Sequence, residues 1–72
     1  MPKEYSSKEI ETVLKKIGFN FVSQKGSHGK FKNDKGNTVI LPMNKREIPY
    51  GTFRSILKQA GIDLNEFIDT LS

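Results

Sequence analysis

His28 is the only histidine in this chain, and imidazole is the one side chain whose ordinary titration falls near neutral pH. Such a group can take a proton from a ribose 2′-hydroxyl or from water and give it up again, which is the work of a general base in RNA cleavage. A lone histidine also occurs as plain solvated surface, so its neighbours decide what it is worth. Lys25, Lys30 and Lys32 stand close to it in the sequence. Cations in that position stabilise the charge that gathers on the oxygens of a pentacoordinate phosphorane. Lys30 and Lys32 lie two and four places beyond His28, so on a strand all three share one face. Gly26 and Gly29 bracket the histidine. They either let the backbone come close to a phosphate or serve turn geometry. Ser27 either donates to a phosphate oxygen or caps its own turn.

Lys45, Arg46 and Arg54 form a second basic set around the start of a later helix, either as phosphate contacts or as a solvated helix face. Tyr50 offers a ring for base stacking or for packing. Other chemistries fit poorly. The eight carboxylates are scattered, whereas a two-metal nuclease needs several that converge. His28 has no histidine or carboxylate at i+3 or i+4 to share a metal, so no metal or other cofactor is expected. Ser27 and His28 are adjacent and would point to opposite strand faces, which fails the geometry of a hydrolase triad. Cysteine is absent, which removes disulfides and a thiol nucleophile.

The scaffold for these residues is small. Seventy-two residues make a single domain, 1–72, that buries only about 60% of its unfolded surface. The net charge of +4 is unevenly placed. Residues 25–58 carry six Lys and two Arg against Asp34 and Glu47, whereas residues 59–72 carry Asp63, Glu66 and Asp69 with no base. A basic middle suits an anionic partner, nucleic acid above all. The mean hydropathy of -0.53 suits a soluble globular chain. No apolar run approaches the ~18 residues of a membrane span, and the first eight residues lack the apolar core of a signal peptide. The expected location is the cytoplasm, with no membrane contact.

The elements can be read in order. Ser6-Ser7-Lys8-Glu9 is a capping box with Tyr5 and Ile10 as its staple. Ile10, Val13, Leu14 and Ile17 make a helical stripe that Gly18 stops. Phe19, Phe21 and Ser23 alternate with Asn20, Val22 and Gln24, which predicts a strand with one buried face. A second strand runs from His28 to Lys32 with Phe31 turned inward. Asn33 to Asn37 closes a hairpin onto Thr38–Leu41, a strand ended by Pro42. Met43 to Ile48 is a loop, and Pro49 suits the first helical position. Phe53, Ile56, Leu57 and Ala60 then repeat the helical stripe as far as Gly61. Asp63 caps a third helix striped by Leu64, Phe67, Ile68 and Leu71. The pattern is α+β, α-β-β-β-α with an extra short C-terminal helix. Its three-stranded antiparallel sheet carries helices on one face and leaves the other open.

Two segments resemble a known family. Lys25 followed by Gly26-Ser27-His28 and then Phe31, together with Gly51-Thr52-Phe53-Arg54-Ser55-Ile56-Leu57-Lys58-Gln59-Ala60-Gly61-Ile62, is similar to the signature of the HicA toxins. With the opening helix and its Gly18-Phe19 exit, the resemblance covers residues 6–62. It implies a double-stranded-RNA-binding-domain-like fold, and a toxin of a toxin–antitoxin pair that acts as an mRNA interferase. It implies that the catalytic histidine is His28, with mRNA as substrate. It further implies a HicB-like antitoxin that covers the histidine, the toxin being a monomer or part of a hetero-oligomer with it. The acidic third helix departs from many members, which end sooner, and is a place where partner contacts would differ. The rival to this endoribonuclease is a non-catalytic RNA-binding module that uses the same basic face.

Overall fold

The computed structural model describes residues 3–72. Helix α1 (Ser7–Lys16) starts where the capping box places it. The Glu9 backbone N–H donates to Ser6 Oγ at 3.0 Å, and the Ser6 N–H donates to the Glu9 carboxylate at 2.9 Å. Each bond satisfies an amide that the helix itself cannot. Ile10, Val13 and Leu14 are buried along one face. Gly18 then turns the chain with φ +100°, a region that glycine enters without steric cost.

Strands β1 (Asn20–Lys25), β2 (His28–Lys32) and β3 (Thr38–Pro42) form one antiparallel sheet in that order. The Asn33 side chain accepts the Asn37 N–H at 2.8 Å and closes the β2–β3 turn. Phe31, Val39 and Leu41 are buried against Ile10, Val13 and Leu14 and against Phe53, Ile56 and Leu57 of α2 (Tyr50–Ala60). The helices therefore cover one sheet face, as the pattern predicts.

Strand β1 departs from its expected alternation. Every residue in it is exposed, and the buried phenylalanine is Phe19, just before it. The register explains the change. Phe21 pairs with Phe31, but the next pair is Ser23 with Lys30, so Val22 is an extra residue in a bulge. A bulge reverses the facing of everything beyond it. Phe21 stays on the helix side, edge-on to Phe31 with ring centroids 5.6 Å apart, yet is 46% exposed because it lies on an edge strand. Ser23 and Lys25 cross to the open face.

Two boundaries also shift by one residue. Pro42 is the last residue of β3 rather than the first beyond it, and Pro49 is the N-cap of α2 rather than its first helical residue. With ψ at 143° Pro49 is still extended, and its carbonyl accepts the Phe53 N–H at 2.9 Å. Gly61 ends the helix in the left-handed region at φ +75°.

Helix α3 (Leu64–Leu71) is capped by Asp63, whose carboxylate accepts the Glu66 N–H at 2.8 Å. Phe67 enters the core, its ring centroid 4.9 Å from those of both Tyr5 and Phe53. Ile68, expected on the same stripe, is instead 43% exposed. An eight-residue helix with one deeply buried anchor turns the flank of its stripe to solvent. None of the helices among the described residues is long and apolar enough to cross a membrane.

The loop after β3 is tied down by the start of the chain. Ser7, only 4% exposed, donates through Oγ to the Pro42 carbonyl at 2.6 Å and accepts the Lys45 N–H at 3.0 Å. Its own N–H donates to the Lys45 carbonyl at 2.9 Å, and the Ile48 N–H donates to the Tyr5 carbonyl at 2.8 Å. Ser7→Ala leaves two backbone groups without a side-chain partner in a half-buried place. It is expected to cost about 1–3 kcal/mol, read as a lower midpoint in urea unfolding. Further along the same junction, Glu4 and Glu47 meet. A hydrogen bond that protonated Glu4 donates to Glu47, then desolvation, then the charge of the Glu47 carboxylate raise the Glu4 carboxyl above its usual range. A raised acid favours the protonated fold, so this contact helps below the carboxylate range and is lost as pH climbs through it. Glu4→Gln is therefore expected to raise the melting temperature at pH 7, with the gain vanishing in acid.

Candidate active site

The histidine stands at the foot of a two-residue hairpin. Lys25 and His28 form the last pair of the β1–β2 ladder, and Gly26-Ser27 is the turn between them. Gly26 has φ +57° while Ser27 stays out of the left-handed region, the pattern of a type II′ turn, which matches the twist of its strands. The turn is held from both sides. Gln24 Nε2 donates to the Gly26 carbonyl at 3.0 Å, and the Met43 N–H donates to the Ser27 carbonyl at 2.7 Å. His28 therefore follows backbone whose carbonyls are already occupied, which gives its side chain a rigid base.

Across the sheet, opposed residues share a face. One row runs Lys25, His28, Pro42, and the next runs Ser23, Lys30, Ile40. Lys32 continues the face opposite Thr38. The imidazole thus has a cation directly across from it on β1 and a second one two residues along its own strand. Lys25, Gly26, Ser27, His28 and Lys30 line one shallow depression with Ser23 and Ile40. Among the described residues no three His, Asp or Glu side chains gather as a metal-binding group.

Gly29 does something other than either expectation. It is buried on the helix side, and a Cβ there would come within 2.9 Å of Met43 Sδ. It leaves room for the Met43 side chain against β2 on the helix side, and so serves neither a turn nor a phosphate on the open face.

The second basic set is not gathered with the first. Lys45 and Arg46 line a separate depression with Ser7, Lys8 and Glu11 at the start of α1. Arg54 lines a groove between α2 and α3, and its guanidinium donates to the Tyr50 hydroxyl at 3.2 Å. The Tyr50 ring packs beside that of Phe53, centroids 6.1 Å apart. Sequence reasoning missed Ser23 and Ile40 in the depression, and Gln24 and Met43 behind it. The break in alternation at Phe21-Val22-Ser23 was the available signal for Ser23.

No curated protein sequence matches the chain. A family model described as the HicA toxin of bacterial toxin-antitoxin systems matches residues 7–62. That span opens on the first residue of α1, takes in the whole sheet with His28 and its lysines, and closes just past the Gly61 stop, leaving α3 outside. Because the match covers most of the chain and the entire sheet-and-helix unit that positions His28, the protein belongs to the HicA toxin family, and a cognate antitoxin is its partner.

Proposed function

We propose that this toxin is a metal-independent endoribonuclease that cuts mRNA and so inhibits translation, with His28 as general base. One observation carries the reading: an exposed imidazole lies on an open sheet face with Lys25 paired across from it and Lys30 beside it. In the proposed step His28 takes the proton of the attacking 2′-hydroxyl or water. The attacking oxygen bonds to phosphorus, the P–O5′ bond breaks, and the departing oxygen takes a proton from a lysine, a water or the recycled imidazolium. Lys25 and Lys30 offset the charge that grows on the phosphorane oxygens. Ser27 and the Gly26 turn border the phosphate, and Lys32 holds the next one along the strand. Lys45, Arg46 and Arg54 are assigned to flanking RNA. A HicB-like antitoxin is the proposed partner, covering this face in the cytoplasm.

The test is labelled RNA incubated with purified protein in excess EDTA. Cleavage that persists in EDTA and is absent from His28→Ala supports the proposal. A mobility shift without cleavage instead assigns the protein as an RNA-binding module. The footprint has its own signature in salt. If Lys30, Lys32, Arg46 and Arg54 neutralise about four phosphates, log K against log salt should slope near -3 on single strands. Replacing any one of them should flatten that slope by about 0.7, and an affinity indifferent to salt would rule the footprint out.

A further inference from the structure

The open sheet face is graded from one edge to the other. Its β1 side carries Lys25 and Ser23, its centre His28 and Lys30, and its β3 side the apolar pair Pro42 and Ile40. Ile40 is 39% exposed. A single exposed isoleucine is ordinary in itself. This one lies opposite Lys30 in the register, one pair along from His28, and in the same depression as both. It is also fixed from behind. Gln59 on α2 accepts the Ile40 N–H through Oε1 at 3.0 Å, which closes the outer edge of β3 and holds that stretch of backbone.

Neighbouring strands lie about 4.8 Å apart. The apolar strip is therefore one strand spacing from the imidazole and two from Lys25, the scale of a nucleotide from its phosphate to its base. Cations beside an apolar surface are the combination by which proteins hold single strands, tracking the phosphates and covering the base. A paired base in a duplex has its faces stacked and cannot lie on such a strip, whereas an unstacked one can.

We propose that Ile40, with Pro42 beside it, seats one unstacked base of single-stranded RNA while Lys25 and Lys30 hold the adjoining phosphate. This rests on the reading that the chain acts on RNA, and it adds a positioning contact to that reading. It makes the toxin's grip depend on the presence of a base and not on charge alone.

The experiment compares binding of a labelled RNA decamer with binding of an abasic ribose-phosphate decamer of equal charge. Both are measured on His28→Ala protein, so that the RNA stays intact. The base-bearing strand should bind more tightly. Adding Ile40→Thr, which keeps the β-branched shape a strand prefers, should weaken binding of the normal strand by about 5- to 20-fold. It should leave the abasic strand and the salt slope unchanged. Ile40→Phe, which presents a ring to the base, should bind the normal strand at least as tightly as the parent. Equal affinity for the two strands in the parent, or an Ile40→Thr protein that keeps the full preference, overturns the base seat without touching cleavage by the wild-type chain. An Ile40→Thr protein that keeps RNA binding and loses antitoxin binding also overturns it, giving the strip to the protein partner. A wild-type chain that neither binds nor cuts RNA overturns the seat and the ribonuclease reading together.

Discussion

His28→Ala is expected to lower the rate of RNA cleavage by about 10²–10⁴, the usual contribution of a positioned general base. Growth arrest in cells should fall with it. The imidazole is exposed and belongs to no packed cluster, so its removal should change stability by about 0.5 kcal/mol or less. The hairpin below keeps its shape, because the bonds to the Gly26 and Ser27 carbonyls come from Gln24 and Met43. RNA affinity should stay near wild type, since Lys25, Lys30 and Lys32 remain. Single-turnover cleavage, RNA binding and urea unfolding of both proteins measure the rate, the affinity and the stability. A folded His28→Ala protein that cuts at the wild-type rate would take the histidine out of the mechanism, and among the described residues no second imidazole or carboxylate lines the depression.

Phe67→Ala is expected to cost about 3–5 kcal/mol, the range for deleting a large buried aromatic. Phe67 is 1% exposed and forms an aromatic triad with Tyr5 and Phe53, two of its three ring pairs meeting near edge-to-face. A single domain has a total stability of only about 5–15 kcal/mol, so the variant should be partly unfolded at growth temperature. Ile68→Ala, at the exposed neighbouring position, should stay within about 0.5 kcal/mol of wild type. Urea unfolding of the pair separates packing from helix propensity. The result bears on the limits of the domain: α3 lies beyond residue 62, where the family match ends, yet it supplies a wall of the core. A chain cut after Ile62 would leave Tyr5 and Phe53 facing water.

The helices were legible because each signal in them is local. A cap, a stripe and a stopping glycine lie within a few turns of one another, and Ser6, Gly18, Gly61 and Asp63 act where their types predict. His28, Lys30 and Lys32 on one open face were legible for the same reason, since the parity of an uninterrupted strand decides it. What escaped notice depends on partners distant in sequence. Val22 becomes a bulge through the pairing of its neighbours across to β2, and Gly29 makes room for Met43, which arrives from beyond β3. Ser7 looks like one more residue of a capping box, but its hydroxyl serves a loop 35 to 38 positions away. Lys45, Arg46 and Arg54 share charge with the site without sharing its place in the fold, which composition alone does not distinguish.

The extra residue in β1 works as a phase slip. Upstream of it, the strand keeps step with the apolar layer through Phe21 and Phe31; downstream, it keeps step with the open face through Lys25 and His28. The two halves of one short strand thus answer to different constraints. Straightening the strand with Val22 kept would pair Val22 with Lys30 and Gln24 with His28 and turn Lys25 toward the helices, whereas deleting Val22 would leave Lys25 opposite His28. In this fold the pairing across to β2, as much as the residue types, decides which way residues 23 to 25 face.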